Sequence, residues 1–230
     1  MSIQKNLDTV RGEIREAEQA SGRPEGSVTL VAVSKTWPVA VIEEAVAAGQ
    51  RIFGENKVQE IVAKVPAMRD DLQWHLIGHL QKNKTRKVLP LCSLIESIDS
   101  IELAQQADRI AGEMEVRPSV LIQVNVSEDG AKFGFSIDEV WRHWSSLLAL
   151  KNLTVKGLMT VPAFQPDPEL VRPDFAKLRE LRGALADEFG EEIPELSMGM
   201  SHDYRVAIEE GATLVRVGSS IFGKRDYGTG

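Results

Sequence analysis

Eight short apolar runs, each followed by a stretch with helical periodicity, constrain this chain more than any motif in it. They predict strands over Val28–Ser34, Arg51–Gly54, Gln73–Ile77, Ser93–Ile98, Ser119–Val126, Thr154–Leu158, Glu195–Met198 and Thr213–Val217. Their starts recur on average about every 26 residues, the length of one strand–helix unit with its loops. Between them Ile42, Ala45 and Val46 share a helical face, as do Leu103, Ala107, Ile110 and Met114. Phe175, Leu178, Leu181, Leu185 and Phe189 form a third stripe, with Gly190 as its stop. Periodicity alone also describes an open doubly wound sheet, but the count of eight favours a closed (β/α)8 TIM barrel.

Residues 1–230 read as a single domain without a strong linker. An extra amphipathic helix precedes the first strand within residues 1–22, its face marked by Ile3, Leu7, Val10, Ile14 and Ala17. Four prolines between Pro162 and Pro173 predict a surface loop over one end of the barrel.

The net charge of −7 argues against a broad nucleic-acid surface, which favours basic residues. No apolar run approaches the roughly 18 residues of a membrane span. The first residues lack the apolar core of a secretory signal. Cys92 is the one cysteine, so no intrachain disulfide is possible, and a cytoplasmic location is expected.

Chemistry in such barrels collects at the C-terminal ends of the strands. Lys35 stands there, after the apolar run that begins at Val28 and just before Pro38 suits a first helical turn. An amine held partly out of water can lose its proton and attack a carbonyl. The plainer alternative is a lysine that ends a strand and pairs with a carboxylate. The seventh and eighth strands run into small, donor-rich turns, Met198-Gly199-Met200-Ser201 and Val217-Gly218-Ser219-Ser220. Barrels often bind phosphate at those two positions. Arg216, between Val215 and Val217, is expected to point into the mouth, facing either a ligand or an acidic partner such as Glu55 or Asp203.

Asn56 follows the second strand, where it would cap a helix or turn its amide to a ligand. Glu55 and Glu60 could serve as acid-base groups, but carboxylates in a first helical turn are ordinary partners of a helix dipole. His75 and His79 lie on a strand running into Gly78, so their rings do not converge on a metal. The basic run Gln81–Lys87 reads as a solvated helix face. Asn125 and Lys132 lie at and beyond the end of the fifth strand.

The segments AVSKT (32–36), FGENKVQE (53–60), WHLIGHLQKNK (74–84), QVN with KFG (123–125, 132–134), GLMT (157–160), LSMGMSHDYRVAI (196–208) and VRVGSSIFGKRDY (215–227) span nearly the whole chain. In order and spacing they resemble the pyridoxal phosphate homeostasis protein family. That resemblance implies a barrel similar to the N-terminal barrel of alanine racemase, without the C-terminal β-domain. It implies pyridoxal 5′-phosphate (PLP) joined to Lys35 as an internal aldimine. It further implies Ser201, Gly218 and Ser219 on the phosphate, Met200 lending backbone, Arg216 at the pyridine nitrogen and Asn56 beside the ring. Arg216 there would leave the ring a weak electron sink. The chain departs from many relatives at Trp37, where they carry a second lysine.

Only Ile221 to Gly230 follow the turn that ends the last predicted strand, too few for a racemase-type second domain, and no clear second base emerges; Tyr204 and Tyr227 are the only tyrosines. The expected function is therefore a PLP carrier that buffers or delivers the cofactor in the cell, without catalytic residues, as a monomer. Its partners would be PLP and apo-forms of PLP-dependent enzymes. A PLP-dependent racemase or lyase of narrow specificity is the alternative. A phosphosugar-type barrel enzyme using Lys35 without a cofactor is a third.

Overall fold

The computed structural model describes residues 2–127 and 133–223; Lys132 and Tyr227 lie outside them. Eight strands are present, all paired in parallel, and they close on themselves in chain order: β1 (Thr29–Val33), β2 (Ile52–Glu55), β3 (Gln73–Leu76), β4 (Leu94–Ile98), β5 (Ser119–Gln123), β6 (Thr154–Met159), β7 (Glu195–Met200) and β8 (Leu214–Val217). Closure comes from β1 against β8, with Val31 opposite Arg216 and Ala32 opposite Val217. Each predicted strand exists, most of them a residue or two shorter or longer than the apolar runs suggested. The largest shift is at β5, which ends at Gln123 rather than Val126; beyond it Val124 makes one isolated bridge to Phe135.

Between the strands lie α2 (Val39–Ala47), α3 (Val58–Lys64), α4 (Thr85–Val88), α5 (Ile101–Glu113), α6 (Ile137–Leu148), α7 (Arg172–Phe189) and α8 (Tyr204–Glu209), with a single turn α9 (Ser219–Phe222) after β8. The basic run forms a 3-10 turn at Lys82–Lys84 leading into α4, and the proline-rich loop closes with another at Pro168–Val171. Caps fix several of these starts. Ser136 and Glu139 form a reciprocal capping box on α6, and Gly190 ends α7 in the left-handed conformation at φ 64°.

Alternation along each strand divides the core in two. Outward residues such as Ala32, Phe53, Trp74 and Ile95 pack under the helices, while Val31, Leu94, Leu121, Met159 and Leu214 fill the barrel interior. Two residues further along, Leu94 gives way to Glu96 and Leu214 to Arg216, so the interior turns polar towards the C-terminal mouth.

The extra helix is α1 (Ile3–Ala20), capped by Ser2. It buries Leu7, Val10, Ile14 and Ala17. Asn6 Nδ2 donates to the Ile221 carbonyl at 2.8 Å, and Tyr204 on α8 donates its hydroxyl to Glu13. Thus α1 straps the two helices that leave β7 and β8. Its buried Glu18 accepts the N–H groups of Gly26 (3.1 Å) and Val28 (2.7 Å), which sets the chain's entry into β1.

Candidate functional site

The predicted residues meet on one arc of the barrel mouth. Lys35 lies just past β1, Asn56 just past β2, Met200 ends β7 with Ser201 next, and Arg216 sits within β8 followed by Gly218 and Ser219. The turns are tied to one another. Gly218 N–H donates to Ser201 Oγ at 3.1 Å, and Ser34 N–H donates to the Gly54 carbonyl at 3.1 Å. A side chain at Gly218 would meet the Val33 carbonyl at 3.2 Å, so the β8 turn presses directly on the end of β1. Gly199 holds φ 92°, and a Cβ there would stand 2.6 Å from that of Ala207; glycine lets β7 finish close against α8.

Met200 is less open than the sequence suggested. Its N–H is taken by Asp203 Oδ1 at 2.6 Å and its carbonyl accepts the Asp203 N–H at 3.0 Å, so its backbone shapes the turn. Burial raises the Asp203 carboxyl, and the Met200 bond and the Arg216 charge oppose that rise. Asn56 does not cap α3: the cap position is Lys57, without a side-chain bond. Trp37 packs on Phe222 with ring centres 6.1 Å apart, linking the Lys35 loop to α9.

Arg216 does point inward and is 3% exposed. Its nearest acidic partner is one that the sequence reading missed. Glu96 on β4 lies 3.7 Å away and Glu55 is turned elsewhere, while the expected Asp203 acts on the guanidinium through its charge; the guanidinium also donates to Ser197 Oγ and to the Thr160 carbonyl (2.8 Å). Ser197 in turn donates to Glu96, which His75 Nδ1 approaches at 2.7 Å. Burial pushes the Glu96 carboxyl up, but His75, Arg216 and Ser197 outweigh it and the net shift is downwards. Burial lowers Arg216, with Glu96 and Asp203 restoring part of the loss. The signal was present in Leu94-Ile95-Glu96-Ser97-Ile98: a carboxylate in a wholly buried strand requires a partner.

Glu55 also departs from expectation. It ends β2 rather than opening a helix, is fully buried, and accepts from Ser34 Oγ and Lys64 Nζ, both at 2.7 Å. His75 and His79 bond separate carboxylates, Glu96 and Asp99, and among the described residues no His, Cys, Asp and Glu side chains gather as a metal site. Tyr204 is turned to α1 and away from the mouth.

The donor set at the mouth is an amine, two serine hydroxyls, turn amides, an asparagine and a buried guanidinium. The guanidinium has five N–H donors, of which Ser197 Oγ and the Thr160 carbonyl take one each. Such a set suits a small ligand carrying an aldehyde, a phosphate and a ring acceptor, and the absence of a side chain at Gly218 lets the β8 turn lie close against the end of β1.

Comparison with known proteins places the chain in a family. Residues 6–226 match the family model for the alanine racemase N-terminal domain. The pyridoxal phosphate homeostasis protein of Aquifex aeolicus is 43% identical, over 99% of this chain and 100% of its own. Its namesake in Schizosaccharomyces pombe is also 43% identical, over 97% and 93%. Among solved structures, PipY of Synechococcus elongatus with PLP bound superposes with a TM-score of 0.86 at 38% identity, covering 96% of this chain and 100% of that one. An alanine racemase of Clostridium difficile shares the fold, with a TM-score of 0.77 at 16% identity, and 60% of its chain is covered. This chain belongs to the alanine racemase N-terminal domain family and, within it, to the pyridoxal phosphate homeostasis proteins.

Proposed function

We propose that this protein binds pyridoxal phosphate through Lys35 and serves to buffer or deliver the cofactor in the cell, with little or no turnover of its own. One observation carries the reading. Lys35 follows β1, the strand paired with β8, and so leaves the barrel beside the serine- and glycine-rich turns at Ser201, Gly218 and Ser219. When bound, the cofactor supplies an aldehyde open to an amine and an electron-withdrawing ring. Lys35 would take the aldehyde carbon and Ser201, Gly218 and Ser219 the phosphate. Asn56 would lie beside the ring, and Met200 would fix the turn through Asp203. Arg216, a permanent cation, would face the ring nitrogen as a donor, leaving that nitrogen unprotonated and the ring a weak sink for a carbanion. Tyr204 faces Glu13 and so does not supply a second base in the mouth, which favours holding over turnover. Among the described residues no helix is long and apolar enough to cross a membrane. Recipient apo-enzymes would be the protein partners, and a monomer in the cytoplasm is the simplest form consistent with a site built within one chain.

The test is spectroscopic. Protein purified with added cofactor should absorb in the near-visible, and Lys35→Ala should abolish that band. A colourless wild-type protein overturns the proposal. If the band is present, incubation with a panel of amino acids in deuterated water should leave their α-protons in place, whereas rapid exchange would establish a racemase or lyase. Cofactor should also pass to an apo-enzyme faster than it does after simple dilution.

A further inference from the structure

Behind Lys35, on the outer side of the β1–β2 edge, lies a buried cluster of charges that the cofactor site itself does not use. Lys64, the last residue of α3, is 7% exposed. Its Nζ donates to Glu55 Oε1 (2.7 Å), to Glu60 Oε2 (2.8 Å) and to the Ser34 carbonyl (3.0 Å). Ser34 Oγ donates to the same Glu55 oxygen at 2.7 Å. On the other side of Lys35, the Thr36 N–H donates to Glu60 Oε2 at 2.6 Å. Both chain neighbours of Lys35 are therefore tied to one set of three side chains.

Thr36 needs that tie. Its φ is 69°, the left-handed region, where a β-branched residue is strained and persists only if its surroundings enforce it. The strand's alternation explains what the strain achieves. Val31 faces the barrel interior and Ala32 the helices, so Ser34 turns out to the cluster and Lys35 falls on the inward parity. The left-handed turn at Thr36 then carries the chain towards Trp37, whose N–H returns to the Ser34 carbonyl at 3.1 Å.

We propose that Lys64, with Glu55 and Glu60, is a positioning group for the Lys35 amine: it clamps Ser34 and Thr36 and so fixes where the amine enters the mouth. This rests on Lys35 as the residue that takes the aldehyde. Burial raises the Glu55 carboxyl to about 7, against the pull of Lys64 and Ser34, as expected for two carboxylates served by one ammonium.

The test measures the amine without the cofactor. Ligand-free protein is labelled with limiting amine reagent across a pH series, and the rate at Lys35 is read by peptide mass spectrometry against exposed Lys151 as internal reference. Glu60→Ala removes the Thr36 acceptor at the half-buried edge of the cluster and should change the Lys35 labelling rate by about tenfold, the weight of one charge-assisted hydrogen bond. Adding Thr36→Gly should restore it, because glycine takes φ 69° without help. Lys64→Met should act as Glu60→Ala does, and Lys64→Arg should retain most of the wild-type profile. Circular dichroism confirms which variants fold, and Glu60→Ala decides the matter if Lys64→Met does not. A wild-type Lys35 profile in folded Glu60→Ala, or no rescue by Thr36→Gly, overturns the proposal. Failure of wild-type protein to form the near-visible band would instead overturn the reading of Lys35, and the labelling result stands apart from it.

Discussion

Replacing Gly78 by alanine tests the link between barrel packing and the site at a single atom. Gly78 follows β3, and its carbonyl accepts the Ser97 hydroxyl at 2.7 Å, so it is tethered from behind. A Cβ placed there would lie 2.2 Å from the Asn56 carbonyl oxygen and 2.8 Å from its Cα. Cβ atoms do not approach other atoms closer than about 3.0 Å, so the β2 and β3 ends must part by roughly 0.8 Å. The obstacle is main chain and cannot rotate aside. Overpacking costs about 1–3 kcal/mol, and two backbone segments must move here, so the upper half of that range is expected. For a domain of this size each kcal/mol shifts Tm by about 2–4 °C, which gives a drop of about 4–12 °C. Asn56 is carried with the displacement, so cofactor retention should weaken about tenfold. Gly183→Ala is the control: it lies within α7, nothing stands within 4 Å of its added Cβ, and Tm should hold or rise by about 1–4 °C. The two proteins would be compared by thermal melting, with and without pyridoxal phosphate. Equal melting of both variants, or cofactor retention in Gly78→Ala equal to wild type, would refute the reasoning.

Other substitutions probe the buried charges. Glu96→Ala leaves Arg216 buried without its carboxylate and should cost about 3–5 kcal/mol in a denaturant titration, whereas Glu96→Gln, which keeps hydrogen-bond acceptance, should cost less. Glu55 has a folded value of about 7 against 4.5 unfolded, so the native state holds its proton longer and this group's contribution falls as pH rises between those values. Glu55→Gln should accordingly gain on wild type by roughly 3 kcal/mol between pH 4.5 and pH 7.5, the direction being opposite for Glu60 and Glu96, whose values are lowered. Burial pushes the Cys92 thiol up to about 12, so iodoacetamide at pH 8 should label it only as fast as the protein unfolds.

The fold was legible because apolar runs and helical stripes report directly on burial, and every predicted strand lies where such a run does. Strand ends were less so. β7 continues to Met200 because Gly199 takes φ 92° within it, a conformation that sequence alone does not assign. Lys35, Ser201, Gly218 and Ser219 were legible from position, as strand-end residues at the first, seventh and eighth strands. What escaped was long-range: Glu96 meets Arg216 from halfway round the barrel, and Lys64, in the last turn of a helix, carries no sequence signal that sets it apart. Glu55 was misjudged because a strand running one residue further than its apolar pattern turns a solvated carboxylate into a buried one. Contacts of that kind depend on which element lands on which, and only the closed barrel supplies that.

The pairing of β1 with β8 has a temporal consequence. The mouth draws Lys35 from the start of the barrel and Arg216, Gly218 and Ser219 from its end, across the one seam that joins strands far apart in the chain. Closing a loop of that length is the entropically late step of assembly. A nascent chain still lacking β8 therefore has the amine but neither Arg216 nor the Gly218–Ser219 turn beside it. The pocket comes into being only when the circle is complete, and its appearance is a readout of finished folding.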